Sequence, residues 1–204
     1  MGGHEAGEVA SQLVVDNLAS TTSVHDLDQR AAIVSDSLVK TNSLLREMSL
    51  QQYEGRIIGT TAIVLLLNES ELRAVWAGDS RAYLFRNGQL SQVSRDHSQV
   101  EEMVSAGLIP REEAENHPMA NVITRAVGAD DTLEPEIKRG MVEPGDLFLL
   151  CSDGLNKVLT DTDIEQILAD TKHNLEEACK ALIHASLVRE ADDNITVVMV
   201  SPTP

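Results

Sequence analysis

Three short segments of this 204-residue chain each set an aspartate among small residues at the edge of an apolar stretch. "WAGDSR" carries Asp79, "LLCSDGL" carries Asp153, and "READDNITVV" carries Asp192 and Asp193. Carboxylates converging from separate segments are the donors that hard cations such as Mg²⁺ or Mn²⁺ take. Gly78, Ser80 and Gly154 would let the backbone approach an ion and its waters. The separations, 74 residues from Asp79 to Asp153 and 40 from Asp153 to Asp193, are far too long for a local metal motif. Only a fold could bring the three together. On residue type alone a second reading stays open, because aspartate also ends strands by forming Asx-turns.

Other chemistry is thinner. Cys151 and Cys179 lack metal-ligand spacing and make no disulfide framework, so both read as reduced core residues of a cytoplasmic protein. Cys151 also lacks the phosphate-cradling loop that a cysteine nucleophile needs, and there is no glycine-rich dinucleotide or P-loop motif. His25, His173 and His184 read as surface or packing residues.

The net charge of −17 argues against nucleic acid or an anionic membrane as partner. No apolar run reaches the length of a membrane span. Aromatics are only 2%, so the core must be aliphatic. A first helix is expected from about Glu5 to Leu18. A longer one carries Leu27, Ala31, Val34, Leu38, Leu45 and Met48 as an apolar stripe. Strands are expected at 60–68, read as central, and at 71–78, where Leu72, Ala74 and Trp76 alternate with Glu71, Arg73 and Val75. A hairpin over 81–94 turns at Asn87-Gly88. Residues 95–125 read as a polar flap with one helix before Gly107 and another after Pro110. "EIKRGMVEPGDLFLLC" returns to strand, with 147–151 buried on both faces. Two helices follow, the first capped at Thr160 or Asp161, and "ADDNITVVMV" closes with a strand. Strands and helices segregate, which predicts α+β with antiparallel sheets.

The motifs, taken in order, resemble the metal-dependent protein phosphatases of the 2C type in their bacterial form. "MGGHEAGEVAS" resembles the end of the family's first motif. "GTTA" (59–62), "AGDSRAYLFRNGQL" (77–90), "SRDHS" (94–98), "ITRAVG" (123–128), "GDLFLLCSDGL" (145–155) and "DDNITVVMV" (192–200) resemble later ones. The resemblance implies a single domain over 1–204, a four-layer α-β-β-α sandwich of two antiparallel sheets flanked by helices. It implies hydrolysis of phosphoserine and phosphothreonine in proteins by metal-activated water, opposing Ser/Thr kinases. It implies two tightly held Mn²⁺ or Mg²⁺ ions and a third, looser one. Asp153 and Asp193 match ligands of the first metal, with Asp192 the alternative of that pair. Asp79 matches the ligand that holds the third metal with Asp153. A monomer acting on phosphorylated proteins is the expected form. No residue matches a general acid, and given this resemblance Arg81 and Arg125 are candidate phosphate ligands, with Arg81 better suited to ordering nearby backbone or carboxylates.

The family's pattern also places an Asp-Gly pair immediately before Met1, with two or three strands upstream. The expectation is therefore a longer protein whose N-terminal strands and bridging carboxylate lie outside this sequence. The alternative is a catalytically impaired, phosphatase-like regulatory or binding module.

Overall fold

The computed structural model describes residues 5–19, 24–114, 117–171 and 174–202. Two helices lead, α1 (Glu5–Ala19) and α2 (Leu27–Gln52). Asp26 caps α2 by accepting the Gln29 N–H at 2.8 Å. Leu27, Ala31, Val34, Leu38 and Leu45 of the expected α2 stripe are buried, Met48 packs partly buried against the same core, and Thr41, Asn42 and Ser49 are buried beside them.

Strands β1 (Ala62–Leu67), β2 (Glu71–Ala77), β3 (Arg81–Arg86) and β4 (Gln89–Gln92) follow, then α3 (Gln99–Ser105) and α4 (Arg111–Ala114). The chain continues through β5 (Glu136–Met141), β6 (Leu147–Cys151), α5 (Asp153–Asn156), α6 (Asp161–Asp170), α7 (Leu175–Val188) and β7 (Val197–Val200). Among the described residues the strands form two antiparallel sheets, β1-β2-β5 and β4-β3-β6-β7.

Three apolar cores separate four layers. The first joins α1 and α2 to Ala62, Leu66, Val75 and Ala77. The middle core lies between the sheets, with Leu72, Ala74 and Trp76 facing Ala82 and Phe148. The third joins Tyr83, Phe85, Leu147, Leu149 and Cys151 to Leu155, Ile164, Leu168, Ala178 and Leu182 of the C-terminal helices. Burying both faces of the interior strands β2, β3 and β6 is how a chain with few aromatics assembles enough apolar contact.

Two sequence expectations need correction, and the burial of two other segments adds detail. The strand at 60–68 is not central: β1 pairs only with β2 among the described residues. The expected strand at 71–78 forms as β2 and is buried on both faces: Leu72 to Ala77 are all buried, and the two faces feed different cores. Arg73 is buried there with its guanidinium 2.7 Å from Asp28. Residues 136–151 are two strands in different sheets, split at a turn where Gly145 has φ +90°. Asp146 fixes that turn by accepting from Glu143 N–H and from Arg86 at 2.7 Å, tying it to β3. Part of the segment read as a flap is buried, at His97, Ser98, Val100 and Glu101.

The Asn87-Gly88 hairpin forms as expected, with φ +52° and +80°. Thr160 caps α6 in a reciprocal box with Asp163. Gly128 is required where it stands: φ is +91°, and a Cβ would lie 2.1 Å from the Ile58 carbonyl. Its N–H donates to Asn42 Oδ1 at 2.6 Å, so α2 anchors the loop before β5.

Phe148 is fully buried between the sheets. Phe148→Ala should cost about 3–5 kcal/mol by leaving a cavity in the middle core. Urea unfolding of the two proteins checks this, and a loss below about 1 kcal/mol would show that the sheets close over the gap.

Candidate active site

The register of the four-stranded sheet decides where the aspartates go. Arg81 of β3 pairs with Cys151 of β6, and Cys151 pairs with Val197 of β7. One row across the sheet therefore has Asp79 two residues before its first member, Asp153 two residues after its second and Asp193 four residues before its third. Antiparallel direction puts all three at the same rim.

Each approach is held by its neighbours. Gly78 has φ +121°, and a Cβ there would fall 2.4 Å from Thr61 Cγ2. Its N–H donates to His97 Nδ1 at 3.1 Å, and its carbonyl accepts from His97 N–H at 3.0 Å. His97 is itself stacked on Trp76, with ring centroids 5.9 Å apart. His97 thus fixes the turn that presents Asp79. Burial holds its imidazole below the ordinary histidine pKa, against an opposing hydrogen bond with Glu136.

Ser152 staples the other two aspartates. Its N–H donates to the Thr196 carbonyl at 3.1 Å, and its hydroxyl accepts from Thr196 N–H at 2.9 Å and donates to the Asn194 carbonyl at 3.2 Å. Gly154 permits the contact, since a Cβ would sit 2.5 Å from the Asn194 carbonyl oxygen. Asp153 is not simply the end of a strand: Ser152 is the N-cap and Asp153 the first residue of α5. Asp193 is exposed and accepts its neighbour's Asn194 N–H at 2.7 Å.

Asp79 and Asp153 line one cavity of about 410 Å³, together with Arg81, Asp96, Arg111 and Lys157. Asp193 is not among its lining residues. Burial, followed by the charge of Asp153, pushes the Asp79 carboxyl up to about 6. Lys157 donates to Asp153 at 2.6 Å. Its ammonium is disfavoured by burial but favoured more by the Asp153 hydrogen bond and by the charges of Asp153, Asp79 and Asp193, so its pKa is raised. All three aspartates are thus felt at one point.

The donor set suits a hard dication in kind. It consists of carboxylates, and Asn156, another residue of the cavity lining, has a buried side-chain oxygen without a hydrogen-bond partner. It is short in number: among the described residues no group of three or more His, Cys, Asp or Glu side chains is close enough to hold a metal.

The remaining candidates have structural partners. Arg81 donates to both oxygens of Asp96 at 2.8–3.0 Å and to the Tyr83 hydroxyl at 2.9 Å, the ordering role expected for it. Arg125 contacts His97 and the Glu134 carbonyl. Burial pushes the Cys151 thiol up to about 12, which leaves it no thiolate character near neutral pH. Cys151 and Cys179 are both free thiols. His25 and His184 are exposed. His4, His173 and the "MGGH" part of the first motif lie outside the described residues. The sequence reading missed Lys157, Asp96 and Asn156. The only signal for Lys157 was its position four residues after Asp153.

Residues 1–189 match the family model for protein phosphatase 2C. The chain belongs to this family. A serine/threonine phosphatase of Listeria monocytogenes is 33% identical over 204 residues, covering 98% of this chain and 81% of the relative. The crystal structure of the serine/threonine phosphatase Stp1 from Staphylococcus aureus superposes with a TM-score of 0.92 at 31% identity, covering 100% of this chain and 81% of that one. The catalytic domain of the serine/threonine phosphatase PstP, solved in complex with two manganese ions, is 35% identical with a TM-score of 0.84, covering 98% of this chain and 83% of that one. These likenesses confirm the family's two antiparallel sheets flanked by helices. No helix among the described residues is long and apolar enough to cross a membrane.

The raised Asp79 pKa has a consequence for stability. In the metal-free protein the unfolded chain ionises Asp79 near pH 4, whereas the folded chain does so near 6. The folded state binds the extra proton between these values, so stability falls as pH rises through that window and the cost is complete above it. Asp79→Asn should raise the melting temperature of the metal-free protein at pH 7 and lose that advantage by pH 4. Thermal melts across this range check it, and an effect independent of pH would place Asp79 in a solvated setting.

Proposed function

We propose that this domain hydrolyses phosphoserine and phosphothreonine in proteins, with Mn²⁺ or Mg²⁺ held at the rim by Asp153 and Asp193 and more loosely by Asp79 with Asp153. The observation that carries this reading is the row Arg81–Cys151–Val197, which sends three aspartates to one rim in a chain of the protein phosphatase 2C family. When bound, such ions supply positive charge for phosphoryl oxygens and acidity for a water.

The protein's own residues supply rigidity and exclusion. Ser152 and His97 hold the approaches of the aspartates. Arg81 is committed to Asp96 and Cys151 is buried as a neutral thiol, which leaves neither as phosphate ligand or nucleophile. Residues 95–125 form a flap within a single domain over 1–204, and we assign substrate selection to it. Residues Ser98, Glu101, Arg111 and Asn121 of that segment line the cavity facing Asp79 and Asp153. The substrates are phosphorylated proteins, with a Ser/Thr kinase as the opposing enzyme. Two free cysteines support a reducing, cytoplasmic setting. The relatives, named as serine/threonine phosphatases, support the enzymatic over the non-enzymatic reading.

The protein should release phosphate from a phosphothreonine peptide with Mn²⁺ or Mg²⁺ and lose that activity in EDTA. Asp153→Ala and Asp193→Ala should each lower turnover by at least ~10²-fold, while Cys151→Ser remains active. Full turnover after exhaustive chelation would overturn the metal-dependent reading.

A further inference from the structure

Three cationic side chains line the cavity, and two of them are committed away from the aspartates. Arg81 is bound to Asp96 and Tyr83. Arg111 is bound to Glu101 through both terminal nitrogens. Lys157 differs, because its partner at 2.6 Å is Asp153, a carboxylate assigned above to the metal. The ammonium also feels Asp79 and Asp193. It therefore occupies the electrostatic focus of the set with a single positive charge.

We infer that the Lys157 ammonium is a built-in counter-ion of the aspartate set, which a divalent cation must displace from Asp153, so that Lys157 sets the metal affinity of the site. This rests on the metal-binding reading above. The displacement is feasible because the pair is partly solvated: the Lys157 and Asp153 side chains are 35% and 27% exposed. Exposed pairs of this kind are weak. Removing the charge would nonetheless matter for the metal. A carboxylate oxygen that accepts from an ammonium has less electron density for a cation. Even after displacement the lysine stays tethered one turn from Asp153, and its charge repels the dication across a site that is only partly screened. A plain helix-surface pair, the ordinary meaning of an Asp and a Lys four residues apart, has no such effect on metal binding.

The test is calorimetric titration of Mn²⁺ into the metal-free protein and its Lys157→Gln and Lys157→Arg variants. Lys157→Gln should bind Mn²⁺ about tenfold more tightly, equivalent to ~1.4 kcal/mol. Lys157→Arg, which keeps the charge, should stay within about twofold of the parent by the same scale. Equal affinity in all three, or weaker binding by Lys157→Gln, overturns the inference and leaves the metal-binding reading intact. Absence of Mn²⁺ uptake by all three overturns both.

Discussion

The hydrogen-bonded row through Arg81, Cys151 and Val197 is the constraint on which the rest of the molecule depends. Antiparallel pairing makes β3 begin where β6 ends and β7 begins. Residues 74 and 40 positions apart in sequence thereby reach one rim without any local motif. A shift of one residue in the β3–β6 pairing would send every side chain of β6 to the opposite core. The aliphatic packing on both faces of β6 therefore fixes the register and, through it, the site. Phe148 on one face and Leu147 and Leu149 on the other belong to different cores, which leaves no equivalent alternative alignment.

The rim concentrates negative charge in an already acidic chain. That concentration shows in Asp79, whose carboxyl resists ionisation because it is buried beside Asp153. Positive charge is supplied selectively: Asp96 absorbs Arg81, Glu101 absorbs Arg111, and Lys157 alone of these cations turns to a site aspartate. A phosphate monoester would be repelled by such a surface. Divalent cations held at the rim, as proposed, would reverse the local field and make it receptive to phosphate. The same argument explains why the strongly acidic composition is compatible with an anionic substrate.

Much of this was legible in the sequence, for identifiable reasons. The α2 stripe, the Asn87-Gly88 turn, the Thr160 cap and the doubly buried run 147–151 depend on local patterns, and each appears in the structure. What failed depended on neighbours. That β1 pairs only with β2 among the described residues cannot be read from "TTAIVLLLN", because a strand paired on one side under helices and a central strand share a composition. Likewise the burial of Arg73 depends on Asp28, 45 residues earlier, whose half-exposed carboxylate receives its guanidinium. The aspartates were singled out by their small neighbours. The partners that hold or compensate them, His97, Ser152 and Lys157, act through contacts that no spacing rule supplies, except for the i,i+4 step to Lys157.

The central claim is that the register of one sheet assembles a divalent-metal site from the aspartates at its rim. Anomalous scattering from crystals of the protein grown with Mn²⁺ tests this most directly. The account predicts a manganese peak at direct coordination distance, about 2.0–2.6 Å for hard cations, from the carboxylates of Asp153 and Asp193. It also predicts that the Lys157 ammonium will have left Asp153. A rim without manganese, with Lys157 still paired to Asp153 while the protein hydrolyses phosphopeptides, would contradict it.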